Sequence, residues 1–352
     1  MIVRAFGVAV VSLLALVGTD RLALSQSTDA SLAALYEAAK REGKVVMYAD
    51  NSVELTQRWA EAFKRRYPGI EFDFFRGDST QVIQRLESEA AAGRHTADVF
   101  TSTLRWTANL IAKGMVAEYQ SVAAQSYPAG LQPTHRMFYN YAINPITIAF
   151  NSKLVRAEDV PKSFADLLDP KWKGKIGAQD PKSGGGGMHT WIMTYHLVHG
   201  EAPWHDYMEK LGKQIGRYGA YFPVQEALAS GEVALQIAAY SDFIEPLKLK
   251  GAPVEWIVPN DYVILLGFTV QVSKHAPRPN AAKLMLEFIL SPEGQDILVS
   301  DGKIPIDPAR RPGAYSRLNN AKLVEANYAA IYEKRPKTWF DEQIKKYFPA
   351  PQ

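Results

Sequence analysis

Between residues 32 and 113 the chain alternates amphipathic helical segments with short apolar strands, and this alternation limits the possible folds more than any other feature. Apolar residues recur at helical spacing up to Glu42, and Gly43 then supplies a helix stop directly before a strand. Strands and helices that alternate at this length form right-handed crossovers, which bring the strands together in a parallel sheet. The predicted elements are a helix at 32–42, a strand at 45–48, a helix at 54–66, a strand at 70–75, a helix at 81–92, a strand at 98–101 and a helix at 104–113.

The first 25 residues have the pattern of a secretory leader. Arg4 provides the positive start, residues 5–17 form an apolar run, and the small residues at 23–25 precede a predicted cleavage that makes Gln26 the first mature residue. The run is shorter than the ~20 apolar residues of a membrane-spanning helix, although retention of the leader as an anchor is the alternative. Because the sequence contains no cysteine, we expect neither lipid attachment nor disulfides. The chain is therefore expected to be exported and not to be a lipoprotein.

The length of the mature chain predicts two lobes. Removal of the leader leaves 327 residues (352 − 25), more than a single hydrophobic core usually serves. The extended stretch 138–151 is interrupted by Pro145, which disfavours a central hydrogen-bonded strand but suits a segment that passes between lobes. The apolar run 263–272 would return the chain to the first lobe. The predicted division is a signal peptide at 1–25, lobe 1 at 26–145 and 268–352, and lobe 2 at 146–267.

Further elements follow from the same patterns. Lobe 2 and the C-terminal part are predicted to contain helices at 164–168, 188–198, 204–211, 224–229, 281–290, 292–299 and 338–347, and strands at 175–178, 233–239 and 254–258. The formal charge is +3, and it becomes +2 without Arg4, Asp20 and Arg21. Because basic and acidic residues are interspersed, a nucleic-acid partner is not expected.

Polar residues follow each of the first three predicted strands. In an open α/β sheet the ligand lies beyond the carboxyl ends of the strands, where helix N-termini present free N–H groups. Guanidinium groups beside such helix ends favour carboxylate or phosphonate oxygens, whereas simple N-capping is the alternative for Ser79 and Thr80. The candidate ligand-binding residues of lobe 1 are Tyr48, Asn51, Ser52, Arg76, Ser79, Thr80, Thr101, Thr103 and Arg105.

Lobe 2 offers a glycine run and one polar strand end. The run that begins at Ser183, Gly184 and Gly185 precedes a helix, so its amides could approach an anion, and a flexible turn is the alternative. It lacks the lysine and hydroxyl of a phosphate-binding loop. Tyr240 and Asp242 follow a predicted strand and are expected to face the cleft, with core packing as the alternative for Tyr240.

Two other patterns give little support to metal or catalytic chemistry. His189, His196, His199 and His205 lie close together, but no zinc-binding motif includes them, so packing roles are expected. Residues 300–303 match a Ser-x-x-Lys pattern whose partner motifs are missing, and no nucleophile elbow occurs. We therefore predict no catalytic residues, no metal site and no cofactor.

Several short segments together resemble a known family, the periplasmic solute-binding proteins of ABC importers, in the cluster that includes ferric-iron, phosphonate, sugar-phosphate and thiamine binders. The resemblance covers nearly the whole mature chain. It implies an α/β fold of two lobes, each a mostly parallel sheet flanked by helices, joined by two crossover strands and able to close over a ligand. It also implies a periplasmic location and permease subunits in the inner membrane as partners. The segments are 43–48 (GKVVMY), 97–100 (ADVF), 164–176 (FADLLDPKWKGKI), 231–234 (GEVA), 253–256 (PVEW) and 291–295 (SPEGQ).

The iron binders of this family use a histidine, a glutamate and paired tyrosines. This chain has Asn51 and Ser52 near the histidine position, Thr103 near the glutamate position, and Tyr240-Ser241 in place of the tyrosine pair. A ferric ion requires several anionic oxygens, so iron becomes the alternative ligand. The main hypothesis is a monomer that captures a small polar anionic solute between its lobes and delivers it to a permease.

Two other classes stay open. A sensor on this scaffold would bind a receptor in place of a permease. An enzyme would need an activated base in the cleft, and a perturbed pKa of Asp50, Asp78 or Asp242 would be its sign.

Overall fold

One long mixed sheet organises the fold in a computed structural model that describes residues 30–127, 136–183 and 186–348. The predicted leader lies outside these residues. The sheet has 11 strands, with the main order β2-β1-β3-β9-β4-β7-β5-β6. The strands are β1 (Lys44–Ala49), β2 (Glu71–Arg76), β3 (Val99–Thr103), β4 (Tyr139–Asn151), β5 (Ile176–Gln179), β6 (Ile215–Gly219), β7 (Leu235–Tyr240), β8 (Val254–Ile257), β9 (Val263–Val272), β10 (Ile304–Pro305) and β11 (Leu323–Glu325).

Helices cover both faces of this sheet. They are α1 (30–42), α2 (Val53–Arg66), α3 (Ser79–Ala91), α4 (Leu104–Ala112), α5 (Gly186–His199), α6 (Glu201–Gly212), α7 (Tyr221–Ser230), α8 (Ser241–Leu249), α9 (Pro279–Leu290), α10 (Pro292–Ser300), α11 (Tyr328–Lys334) and α12 (Lys337–Tyr347). Within the described ranges no helix combines the length and apolar character needed to cross a membrane.

The first lobe confirms the predicted parallel arrangement. Strand β1 pairs in parallel with both β2 and β3, and β9 adds an antiparallel neighbour to β3. Helices α2, α9 and α10 bury Trp59, Phe63 and Phe288 on one face, while α3 and α4 pack Ile83 and Leu110 against the other. This packing fixes the carboxyl ends of β1 and β3 and the N-termini of α3 and α4 at one edge of the lobe.

The expectation that Pro145 disfavours a central hydrogen-bonded strand is wrong here. Strand β4 pairs with β9 from Tyr139 to Ile146 and with β7 from Ile146 to Phe150, so it lies at the centre of the sheet. Strands β10 and β7 lie along the same side of β4. On that side β10 pairs only with Ala142 and Ile143, and β7 begins to pair at Ile146. Pro145 therefore falls in the gap between β10 and β7, where its missing N–H interrupts no ladder.

The second lobe is built on β5, which pairs in parallel with β6 and β7. Its core contains Trp191 of α5 and Trp204 of α6. Strand β6 and helix α8 were not predicted, and the predicted helix at 164–168 is a short 3₁₀ turn, Ala165–Leu168. Helix α8 escapes a pattern search because Pro246 lies inside it.

The C-terminal segment crosses between the lobes a third time. Strand β11 pairs in parallel with β9, α11 contacts both α4 and α5, and α12 packs on α6. Phe340 and Ile344 of α12 are buried in the core that contains Trp204. We therefore propose that residues 326–348 belong to lobe 2, whereas the division made from the sequence places all of 268–352 in lobe 1.

Candidate functional site

A cavity of about 290 Å³ lies between the two lobes. Lobe 1 contributes Ser79 at the start of α3 and Thr103 directly before α4, both of which are predicted site residues. The C-terminal crossing contributes two tyrosines of α11. A larger hollow of about 560 Å³ elsewhere on lobe 2 contains none of the predicted residues. The lining of the cavity between the lobes is Ser79, Thr103, Trp106, Gly186, His189, Thr190, Leu266, Tyr328 and Tyr332.

Asp50 anchors the lobe 1 wall of this cleft. Its carboxylate accepts hydrogen bonds from Ser79 Oγ at 2.6 Å and from Thr101 Oγ1 at 2.7 Å. Burial raises the pKa of Asp50, and these two hydroxyls oppose the rise. Because Asp50 directly follows β1, Ser79 begins α3 and Thr101 belongs to β3, this network holds the ends of two strands and the start of a helix in one arrangement.

The N-cap of α3 is Asp78. Its side chain accepts the N–H of Gln81 at 2.9 Å, and the Gln81 side chain accepts the N–H of Asp78 in return. Capping was therefore the wrong alternative for Ser79 and Thr80, which are the first two residues of the helix. Their N–H groups belong to the unsatisfied first turn, and the Ser79 hydroxyl instead orients Asp50.

Other predicted residues of lobe 1 have partners within that lobe. Tyr48 is buried and donates to Glu89 of α3 at 2.6 Å. Asn51 accepts from the Tyr141 hydroxyl at 2.7 Å through its side chain and from Arg76 Nε at 3.0 Å through its carbonyl. Ser52 caps α2. These contacts support the shape of the strand ends without placing the side chains in the cavity lining.

The lobe 2 wall depends on a close contact between α5 and the end of β7. A Cβ atom at Gly187 would lie 2.6 Å from the carbonyl oxygen of Ala238 and 3.1 Å from Tyr240 Cζ. The glycine run predicted from the sequence therefore lets α5 approach Tyr240, which is buried, while Gly186 lines the cavity. Predicted residues Gly184 and Gly185, and the side chains of Arg105 and Ser183, lie outside the described part of the chain.

Three charged groups from the two lobes interact electrostatically, and we call them the charged rear wall. It consists of Asp50, Asp242 at the start of α8, and Lys303, which directly precedes β10. Burial raises the pKa of both carboxyl groups, that of Asp242 to about 7, and the positive charge of Lys303 opposes the rise at each. The Asn144 amide, oriented with its nitrogen toward Asp242, donates to Oδ1 at 2.5 Å. The sequence analysis considered Lys303 only as part of a Ser-x-x-Lys match without partner motifs, and did not predict its effect on these two carboxyl groups.

A backbone irregularity positions Tyr240. Ala238 has φ 53°, and the pairing of β7 with β4 shifts register between Thr147 and Ile148 opposite it. A residue with a Cβ in this region costs about 1–2 kcal/mol. The bulge turns the end of β7 toward α5, which places the Ala238 carbonyl against Gly187.

We expect Ala238→Val to lower the free energy of unfolding by about 2 kcal/mol, because a branched side chain fits this backbone region poorly. Ala238→Gly removes the steric cost at the expense of chain entropy and should stay within about 1 kcal/mol of the wild type. Urea unfolding of both variants measures the difference. Equal stability of the valine variant and the wild type would show that this backbone conformation is not required.

Two of the four histidines, His196 and His205, pack against the same two rings, Trp204 and Trp339. His196 is buried among Trp204, Trp339 and Phe340, and His205 lies 2.7 Å from the Tyr347 hydroxyl. His189 alone lines the cavity. Across the described residues, no group of three or more His, Cys, Asp or Glu side chains is arranged to hold a metal ion.

Two lobes joined by crossing strands, with a cavity between helix N-termini of opposite lobes, define a two-lobed ligand-binding protein of the periplasmic binding protein fold. Ferric iron-binding protein A of Mannheimia haemolytica in an open conformation has this fold, with a TM-score of 0.74 and 14% identity over 87% of this chain and 98% of that chain. AfuA from Actinobacillus pleuropneumoniae, bound to fructose-6-phosphate, gives a TM-score of 0.64 and 23% identity over 88% and 99%.

The chain belongs to the family of bacterial extracellular solute-binding proteins, whose family profile matches residues 94–333. One relative, from Salmonella paratyphi A, is named as a 2-aminoethylphosphonate-binding periplasmic protein on a provisional basis. It is 23% identical over 64% of this chain and 66% of its own length. An Fe(3+)-binding periplasmic protein of Serratia marcescens is 23% identical over 74% and 78%. The predicted family, fold class and solute-binding function in ABC import are thereby confirmed, and these relatives are binding proteins.

Proposed function

We propose that this protein captures a small organic anion of the carboxylate or phosphonate type between its lobes and delivers it to the permease of an ABC importer. The observation that carries the proposal is the position of the cavity between Ser79, the first residue of α3, and Gly186, the first residue of α5. The N-termini of these two helices, one from each lobe, present unsatisfied N–H groups and the positive ends of helix dipoles to an anion.

The size and lining of the cavity fit this class of solute. About 290 Å³ is at the small end of ligand sites, so a few heavy atoms beyond the anionic group would fill it. The hydroxyl group of Thr103 can donate to an oxygen of the solute. The Thr190 hydroxyl donates to the carbonyl of Gly186 at 2.9 Å and lies 2.7 Å from the Tyr328 hydroxyl, so these side chains give the cavity a polar, ordered wall. Because a bound anion would contact both lobes, binding would shift the lobes toward the closed arrangement.

The proposal includes the location of the protein and its recognition by the permease. Cleavage of the leader before Gln26 would release a periplasmic monomer that carries no lipid, and the closed form would be the one that the permease recognises. The raised pKa values of Asp50 and Asp242 are the sign that would be expected of an enzyme. Burial explains both without a catalytic role, and the named relatives bind solutes, so we interpret these carboxyl groups as part of a binding site.

Iron is the second candidate, because relatives and structural neighbours bind it. The described cleft offers His189 and tyrosines, but no group of three or more His, Cys, Asp or Glu ligands. Burial also raises the pKa of Tyr240, which opposes formation of the phenolate that a ferric ion requires. The geometry therefore favours an organic anion.

The test is Thr103→Asp, with Thr103→Asn as its neutral control of the same shape. Thr103 is the N-cap of α4 and lines the cavity, and both replacements are good N-caps, so folding should be preserved. The added carboxylate should weaken the binding of ethylphosphonate or propionate at least about tenfold, or about 1.4 kcal/mol, by like-charge repulsion. The neutral variant should bind within about threefold of the wild type.

Isothermal titration calorimetry of the mature protein, with ethylphosphonate, propionate and ferric ion plus carbonate as probes, decides between the two candidates. If the wild type binds ferric ion but neither organic anion, and Thr103→Asp binds ferric ion more tightly, the solute is iron and the organic anion is rejected. Unchanged anion binding in Thr103→Asp would place the site outside this cavity.

A further inference from the structure

Asp242 belongs to the same cleft as the cavity between the lobes, because a chain of contacts connects the two. Gly186 lines the cavity, and the Tyr240 ring packs against the adjacent Gly187. Asp242 follows Tyr240 by two residues. On the other side, Ser79 also lines the cavity and donates to Asp50. Lys303 acts electrostatically on both carboxyl groups, so Asp242 and Asp50 share one positive neighbour.

The charge of this rear wall is unbalanced. Two carboxyl groups, Asp50 and Asp242, face one ammonium group, that of Lys303. Among the described residues, no Lys, Arg or His nitrogen forms an ion pair within 4.0 Å of either carboxylate, and Lys303 forms no ion pair within that distance. The positive charge of Lys303, whose Nζ lies 5.4 Å from the centre of the Phe268 ring, therefore acts on both carboxylates without an ion pair to either.

Aromatic rings stand beside that carboxyl group. Tyr240 lies 5.0 Å from Tyr221 and 5.7 Å from Phe243 between ring centroids, and Tyr221 lies 5.5 Å from Phe243. Phe243 immediately follows Asp242 and is 38% exposed, which is unusual for a phenylalanine in a packed cluster. A carboxylate next to exposed aromatic surface is the combination that binds alkylammonium groups, through ion pairing and cation–π attraction.

Asn144 fixes the orientation of the Asp242 carboxylate. Its amide nitrogen donates to one carboxylate oxygen, and the N–H groups of Asp242 and Phe243 also favour the ionised form. Asp242 itself is only partly buried. An ammonium group that reaches Asp242 would therefore meet an oriented carboxylate that forms no ion pair within the described part of the protein.

We propose that Asp242, with Tyr240 and Phe243, forms a subsite for an ammonium group, so that the solute is a zwitterion carrying both an ammonium and an oxyanion. This inference rests on the proposed function, because the oxyanion would occupy the cavity between the helix N-termini. The two subsites share Tyr240 and the α5 N-terminus as their boundary, so a short aliphatic linker between the two charged groups fits the arrangement.

The test compares two probes that differ only in the amine, 2-aminoethylphosphonate and ethylphosphonate, by calorimetry on the mature protein. The wild type should bind 2-aminoethylphosphonate at least about tenfold more tightly than ethylphosphonate. Asp242→Asn keeps the shape and should reduce this preference to about threefold or less, while ethylphosphonate itself binds as well as before or better. Asp206→Asn, which changes a carboxylate on the exposed side of α6, is the matched control and should keep the full preference.

The outcomes separate this inference from the proposed function. Equal binding of both phosphonates by the wild type, or an unchanged preference in Asp242→Asn, would reject the ammonium subsite and leave the anion site standing. The wild-type comparison needs no variant, so it decides the matter even if Asp242→Asn folds poorly. Binding of neither phosphonate, and of neither β-alanine nor propionate, would reject the proposed function and this subsite with it.

Discussion

Gly212→Ala is expected to detach the C-terminal helix α12 and to lower the free energy of unfolding by about 3 kcal/mol. Gly212 is the last residue of α6, and a Cβ atom there would overlap the backbone carbonyl oxygen of Tyr347 at the end of α12. A backbone atom cannot turn aside as a side chain can, so one of the two helices must move. Displacement of α12 would expose Phe340 and Ile344, which are now buried against lobe 2.

The control for this prediction is Gly219→Ala in β6. A Cβ atom at that position would make only an ordinary contact, 3.4 Å from Val224 Cγ2, so its stability should stay within about 1 kcal/mol of the wild type. Urea unfolding measures the difference, and limited proteolysis followed by mass spectrometry shows whether the C-terminal residues become accessible. Stability equal to that of the control, with a protected C-terminus, would contradict the packing of α12 on α6.

Detachment of α12 should also affect the cleft. Helix α11 directly precedes α12, and its Tyr328 lies 2.7 Å from Thr190 Oγ1 between their hydroxyl oxygens. Both residues line the cavity between the lobes. Because α12 fixes one end of α11, its loss should weaken solute binding as well as stability, although no residue of α12 is part of the cavity lining.

The fold could be predicted from the sequence wherever local pattern and final structure agree. The alternation between residues 32 and 113 correctly gave β1, β2 and β3 with their helices, because each element buries an apolar face against its neighbours in the chain. Pro145 misled the prediction, because its tolerance in β4 depends on a gap between β10 and β7. Those strands come from distant parts of the chain, and no local pattern reports where they pair.

The residues of the cleft could likewise be predicted where a local pattern marks them, and not where distant parts of the chain bring them together. Ser79 and Thr103 could be proposed because they follow predicted strands and begin helices. Tyr328 and Tyr332 reach the cleft only through the crossing of the C-terminal segment, and Lys303 comes near Asp50 and Asp242 only through the pairing of β10 with β4. The four-residue spacing of the two tyrosines places them on one helical face, which was the available signal, but nothing local identified the lobe that this face meets.

Gly187→Ala is expected to weaken anion binding at least about 100-fold and to lower the free energy of unfolding by about 2–3 kcal/mol. The added Cβ atom would lie 2.6 Å from the Ala238 carbonyl oxygen and 3.1 Å from Tyr240 Cζ, so α5 must withdraw from the end of β7. Withdrawal would move the first-turn N–H groups of α5 away from the cavity, and hydrogen bonds weaken steeply with distance and misalignment. Calorimetry with ethylphosphonate and urea unfolding measure the two effects, with Gly219→Ala again as the control.

The sign of the stability change makes this a strict test of the contact between α5 and β7. Considered as a helix residue alone, alanine is preferred over glycine by up to about 1 kcal/mol, so local propensity predicts a more stable variant. Only the close approach of Ala238 and Tyr240 to Gly187 predicts the opposite. A stabilised Gly187→Ala variant that binds ethylphosphonate normally would therefore reject this wall of the cleft. A destabilised variant with lost binding would show that the glycine is required for the packing that brings a helix N-terminus to the solute.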